Sequence, residues 1–122
     1  MRDAAKLAED YIALWNETDR SRRMAMLTTT WTATATYVDP LMHGNGHSEI
    51  DGLIAGAQAK FPDFHFSLLE PADGFGDHVR FSWGLGPKGC EPIIKGTDFV
   101  ARDGDQIRSV VGFLDQVPNE HE

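Results

Sequence analysis

Three residues far apart in the chain carry side chains suited to moving a proton: Tyr11, Asp39 and Asp98. A carboxylate can take a proton from carbon, and a phenol or a protonated acid can hydrogen-bond the oxygen on which charge then collects. Ala35-Thr36-Tyr37-Val38-Asp39-Pro40 sets Ala35, Tyr37 and Asp39 on one face of a short strand. Pro40 lacks an N–H and holds Asp39 extended, so strand pairing ends there. Asp39 is then either a general base at the mouth of a sheet or a turn former. Asp98 shares a strand face with Ile94, Gly96 and Val100. In that apolar row a carboxylate is costly unless paired, hydrogen-bonded or protonated, and burial raises its pKa. The opposite register would turn Asp98 to solvent.

These groups need elements to position them. Leu7, Tyr11, Leu14 and Trp15 form one stripe of an amphipathic helix capped by Asp3, which points Tyr11 inward as a donor or as an ordinary core tyrosine. A second helix begins at Asp19 or Ser21, with Met24, Leu27, Thr28 and Trp31 on its inner side and Arg20, Arg22 and Arg23 as a solvated start. Met42 to His47 reads as a turn-rich loop. Ser48 and Asp51 then resemble a capping box for a third helix bearing Ile50, Leu53, Ile54, Ala57 and Phe61, closed by Pro62. Beyond Pro62 the period falls to two. Phe64 to Leu68, Val79 to Leu85, Ile93 to Val100 and Ile107 to Phe113 alternate as strands, the last with Ile107, Ser109, Val111 and Phe113 on one face. Asp73-Gly74, Gly86-Pro87-Lys88-Gly89 and Asp103-Gly104 are hairpin signals. Helices first and a meander afterwards make an α+β domain over residues 1–117, with 118–122 as a disordered tail. A twisted sheet curled around the helices leaves a conical internal pocket open at one end.

Composition narrows the partners. A chain of 122 residues, 41% hydrophobic and 25% charged, is an ordinary globular domain. Its formal charge of −8 argues against nucleic acid and anionic membrane surfaces. Cys90 is alone, which excludes an internal disulfide and makes a reducing cytoplasm the default location. No run approaches membrane length. His43 and His47 lie four apart, but a glycine-rich loop separates them and spacing fixes no third ligand, so no metal is expected. One of the two instead lines the pocket mouth.

Tyr11-Ile12-Ala13-Leu14-Trp15-Asn16, Tyr37-Val38-Asp39-Pro40, Gly96-Thr97-Asp98-Phe99 and Val110-Val111-Gly112-Phe113 together resemble the nuclear-transport-factor-2-like superfamily, which includes the SnoaL-like polyketide cyclases and the ketosteroid isomerases. The pattern spans Tyr11 to Phe113. The resemblance implies a cone of three N-terminal helices on a curved, mostly antiparallel sheet, working without a cofactor and as a homodimer. It implies Tyr11 as oxyanion donor, Asp39 as proton-shuttling base and Asp98 as protonated second donor or, as in the cyclases, acid/base. Trp15, Trp31, Tyr37, His43, Phe61, Trp83 and Phe113 are the expected walls for a small apolar ligand. The competing expectation is a non-catalytic pocket or dimerisation module, its cavity filled by tryptophan.

Overall fold

The computed structural model describes residues 3–118, so residues 119–122 of the expected 118–122 tail lie outside the described residues. Among the described residues, helices α1 (Ala4–Asn16), α2 (Arg20–Thr30) and α3 (Gly46–Lys60) accompany strands β1 (Trp31–Val38), β2 (His43–Asn45), β3 (Phe64–Leu68), β4 (Asp73–Phe75), β5 (His78–Pro87), β6 (Ile94–Asp103) and β7 (Gln106–Gln116). The strands form one sheet in the order β2-β1-β7-β6-β5-β3, with β4 added to β5. All pairings are antiparallel except β1 with β7. The sheet is curved and unclosed, with the helices packed on it, which is the expected α+β architecture. Among the described residues no helix is long and apolar enough to cross a membrane.

Local chemistry accounts for the starts of the helices. The Asp3 carboxylate accepts from the Lys6 amide at 2.8 Å, and Asp19 does the same for Arg22 at 2.9 Å. The third helix departs from expectation. It begins at Gly46, whose φ of +82° suits glycine, and Glu49 Oε1 accepts from the Asn45 amide at 2.8 Å. Ser48 and Asp51 form no capping box, because Asp51 is buried against Arg23: Arg23 Nε donates to Asp51 Oδ1 at 2.7 Å. Arg23 is therefore a core residue rather than part of a solvated cluster. Its guanidinium also reaches the Glu17 carbonyl at 3.0 Å and Gln58 Oε1 at 3.3 Å, tying the α1–α2 turn to α3.

The strands carry two further corrections. Asp73-Gly74 is strand rather than turn; the chain reverses at Gly76, where φ is +53°. In β7 an irregularity against Ala101 and Arg102 shifts the register, so Ile107 and then Val110 and Gly112 face inward while Val111 and Phe113 face out. Phe113 is consequently 54% exposed and packs edge-on against Phe99 on the outer face. It is no part of the pocket. The inner face of β6 follows the expected alternation, with Ile94, Gly96, Asp98 and Val100 buried.

Removing one partner of a buried ion pair strands the other charge in the core. Asp51→Ala is therefore expected to lower the unfolding free energy by about 3 kcal/mol, measured by urea denaturation.

Candidate active site

The inner face of β6 meets α1 over Asp98, which is 2% exposed. Tyr11, on the buried stripe of α1, donates its hydroxyl to Asp98 Oδ2 at 2.5 Å. Trp83 on β5 donates Nε1–H to Asp98 Oδ1 at 3.1 Å. Glycines make room for this arrangement. Trp83 pairs with Gly96 across the β5–β6 ladder, and a methyl group at Gly96 would overlap the indole ring and stand 2.7 Å from the Phe113 carbonyl oxygen. Gly112 pairs with Asp98 across β6–β7, and a methyl there would stand 2.7 Å from Asp98 Oδ1 and 3.3 Å from Asp39 Cβ. The two acids thus approach each other across Gly112.

Asp39 has its own phenol. Tyr37 donates to Asp39 Oδ2 at 2.7 Å, while Asp39 Oδ1 accepts from the amides of Leu41 and Met42 at 2.8 and 2.9 Å. The Asp39 amide in turn bonds the Met42 carbonyl at 2.9 Å. Asp39 is both a member of the site and the closure of the turn that follows Pro40.

Burial raises the Asp98 pKa to about 6; donation from Tyr11 and Trp83 holds it down, and the charges of Asp39 and Asp115 push it up. Burial first, and the neighbouring Asp98 charge second, put the Tyr11 hydroxyl well above its ordinary range. Tyr37 is raised for the same two reasons. Both phenols stay protonated at neutral pH, whereas Asp98 changes charge within the physiological range.

These groups bound a cavity of about 90 Å³ between α1, α3 and the sheet. Tyr11, Trp15, Tyr37, Asp39, Phe61, Trp83 and Asp98 line it, as do Ile12, Leu41, Met42, Ala57, Phe66, Leu85, Ile94 and Leu114. None of the second set was among the expected walls. Phe66 and Leu85 lay in recognised alternating rows and Ile12 beside Tyr11, but nothing in a single chain says which apolar residues meet. Besides Phe113, two expected walls lie elsewhere. Trp31 is fully buried beneath the site, stacked on Tyr11 at 5.9 Å, because it opens β1 rather than ending α2. His43 is exposed on β2, paired with Val38. His47 lies in α3 with Nε2 3.1 and 3.0 Å from the carbonyls of Trp31 and Thr32. No cluster of three or more metal-ligating side chains occurs among the described residues.

A protein from Agrobacterium tumefaciens str. C58, described as a candidate isomerase of the SnoaL-like family, superposes on this structure with a TM-score of 0.87 at 40% identity, over 92% of this chain and 97% of its own. The chain belongs to the SnoaL-like family. More distant structures share the SnoaL-like fold alone. One is a protein of ketosteroid isomerase-like fold from Catenulispora acidiphila DSM 44928, solved in complex with trimethylamine (TM-score 0.71, 23% identity, 90% of this chain and 85% of that one). Another is a candidate polyketide cyclase from Sinorhizobium meliloti (TM-score 0.68, 15% identity, 88% and 93%). No protein-family model and no curated protein matches the sequence.

The raised Asp98 pKa has a thermodynamic signature. Below about pH 4 the group is protonated in both the folded and unfolded chain and contributes nothing. As pH rises the unfolded chain ionises first, so folded stability falls until about pH 6 and is level above it. Asp98→Asn removes this loss. Unfolding free energies measured across pH should show the variant gaining on the parent between pH 4 and 6, by about 3 kcal/mol at most.

Proposed function

We propose that the cavity binds a small apolar carbonyl compound and that Asp98 moves a proton on it, in the manner of an isomerase or cyclase that needs no cofactor. The observation that carries this is Asp98 itself: buried, walled by aromatic and aliphatic side chains, and with no Lys, Arg or His among the lining residues to neutralise it. A carboxylate left in that state is a stronger base than one in water, because desolvation penalises its charge. Tyr11 and Trp83 engage both its oxygens and fix its plane. In the reaction a C–H bond next to the carbonyl breaks, the proton goes to Asp98, and the electron pair passes to the carbonyl oxygen as an enolate. Return of the proton to another carbon gives an isomer. Attack of the enolate carbon on a second carbonyl of the same molecule, with the proton delivered to the new alkoxide, gives a ring.

This assigns to Asp98 the base role expected of Asp39. Three donors already converge on Asp39, and two of them are the backbone of the turn it closes, so its part is to hold Tyr37 and the mouth in place. Water exclusion by Trp15, Phe61 and Trp83 strengthens every charge interaction inside. The small volume favours a compact substrate over a multi-ring one; an engineered cavity of about 150 Å³ takes a benzene.

The same enclosure favours a second reading, a binding module for a small organic cation. Aromatic faces around two carboxylates suit an alkylammonium ion, and the Catenulispora protein was solved with trimethylamine. Tetramethylammonium binding that grows as Asp98 ionises, without turnover of any ketone, is the result expected from that module.

A homodimer belongs to this proposal. Val38 pairs with Val111, Val111 with Phe99, and all three are exposed beside Phe113 on the outer face of the sheet. That row is the surface a second copy would cover. Sedimentation of Phe99→Asp as a monomer, beside a dimeric parent, is the expected result.

Hydrogen exchange next to the carbonyl of cyclopentanone and of larger ketones in D2O, followed by NMR, tests the catalytic reading. The rate should rise with pH through about 6 and fall at least 100-fold in Asp98→Asn. A flat profile together with an unimpaired Asp98→Asn enzyme would exclude it.

A further inference from the structure

Resting on the reading of Asp98 as the proton carrier, we propose that Trp83, seated in the space left by Gly96, is the positioning residue that aims the Asp98 carboxylate and sets the pH at which it works. The indole touches the acid through Nε1 at 3.1 Å, on the oxygen that Tyr11 does not engage. With one donor on each oxygen the carboxylate cannot rotate without breaking a bond, and it is held where Asp98 lines the cavity.

The seat is built by register. Gly96 stands two residues before Asp98 on the same face of β6, and it pairs directly with Trp83. A side chain at 96 would occupy the volume of the indole's six-membered ring, with the Phe113 carbonyl blocking the other direction. Phe66 on β3 packs edge-on against the indole, with ring centroids 5.6 Å apart. A glycine, an acid two residues on and a tryptophan on the facing strand thus form one device. In the strand periodicity Gly96 reads only as a gap in an apolar row.

The groups acting on Asp98 come from several elements: Tyr11 from α1, Tyr37 and Asp39 from β1 and its end, and Asp115 from β7. Desolvation and the two acids raise its pKa. Of the donors that oppose them, Tyr11 is matched by an expected role and Trp83 is not. An N–H bonded to the ionised form favours that form, so its loss makes the acid harder to ionise.

The test is the titration of the Asp98 side-chain carboxyl by carbon NMR in the unliganded protein, with a paired pH–rate profile for cyclopentanone exchange. Trp83→Phe should move the Asp98 midpoint upward by about one pH unit, and the rate profile should shift with it. Replacing Trp83 by benzothienylalanine, which keeps the shape and lacks the N–H, should give the same shift and so separates the hydrogen bond from the packing. Gly96→Ala should unseat the indole and move the midpoint the same way. In the unmodified protein the Trp83 indole N–H signal should track Asp98 ionisation, a readout independent of whether any variant folds. An unmoved midpoint in Trp83→Phe or its isostere, or an indole signal indifferent to pH, overturns the inference. A shifted midpoint in a protein that exchanges no ketone upholds the role of Trp83 and overturns only the catalytic reading.

Discussion

A single carboxylate, enclosed by rings and aliphatic chains with no Lys, Arg or His among the residues lining its cavity, is the constraint around which this fold is arranged. Burying Asp98 is unfavourable, and the protein offsets the cost with two charge-assisted donors rather than with a salt bridge. Those donors come from different parts of the chain, Tyr11 from the first helix and Trp83 from the middle of the sheet. Holding them on one acid therefore requires that α1, β5 and β6 keep fixed relative positions. The site and the core are the same object here.

The contrast with the other buried acid shows what distinguishes a structural carboxylate from a reactive one. Asp51 is as deeply buried as Asp98, but a guanidinium lies 2.7 Å away and the pair serves to fasten helices. The donors to Asp98 among the described residues, Tyr11 and Trp83, are neutral, and the acid opens onto a cavity. The first charge is cancelled inside the protein; the second is left for a ligand. Asp39 stands between these cases, half-buried and held by a phenol and two backbone amides, so that it serves local geometry as much as the cavity.

Glycine contributes by subtraction. At positions 96 and 112 the missing side chain gives up the space that the Trp83 ring and the two acids occupy. The cavity that remains is small because three indoles and several phenyl rings already fill the cone, Trp31 beneath Tyr11 and Trp15 and Trp83 at the walls. What the tryptophans take in volume they return as dryness, which strengthens the electrostatics of the acids they surround.

Much of this was legible in the chain. The 3.6-residue stripe put Tyr11 inward, the two-residue alternation put Asp98 in an apolar row, and Pro40 placed the end of β1 at Asp39; each depends on neighbours in sequence, where period and backbone chemistry decide. The α+β class followed from the change of period at Pro62. What lay beyond reach depends on pairs distant in sequence. The β7 irregularity sent Phe113 outside, the β5–β6 register joined Trp83 to Gly96, and the Arg23–Asp51 pair turned an apparent surface cluster into core. Local pattern sets which face of an element is buried; only packing decides what that face meets, because a register shift of one residue exchanges every contact without changing the pattern.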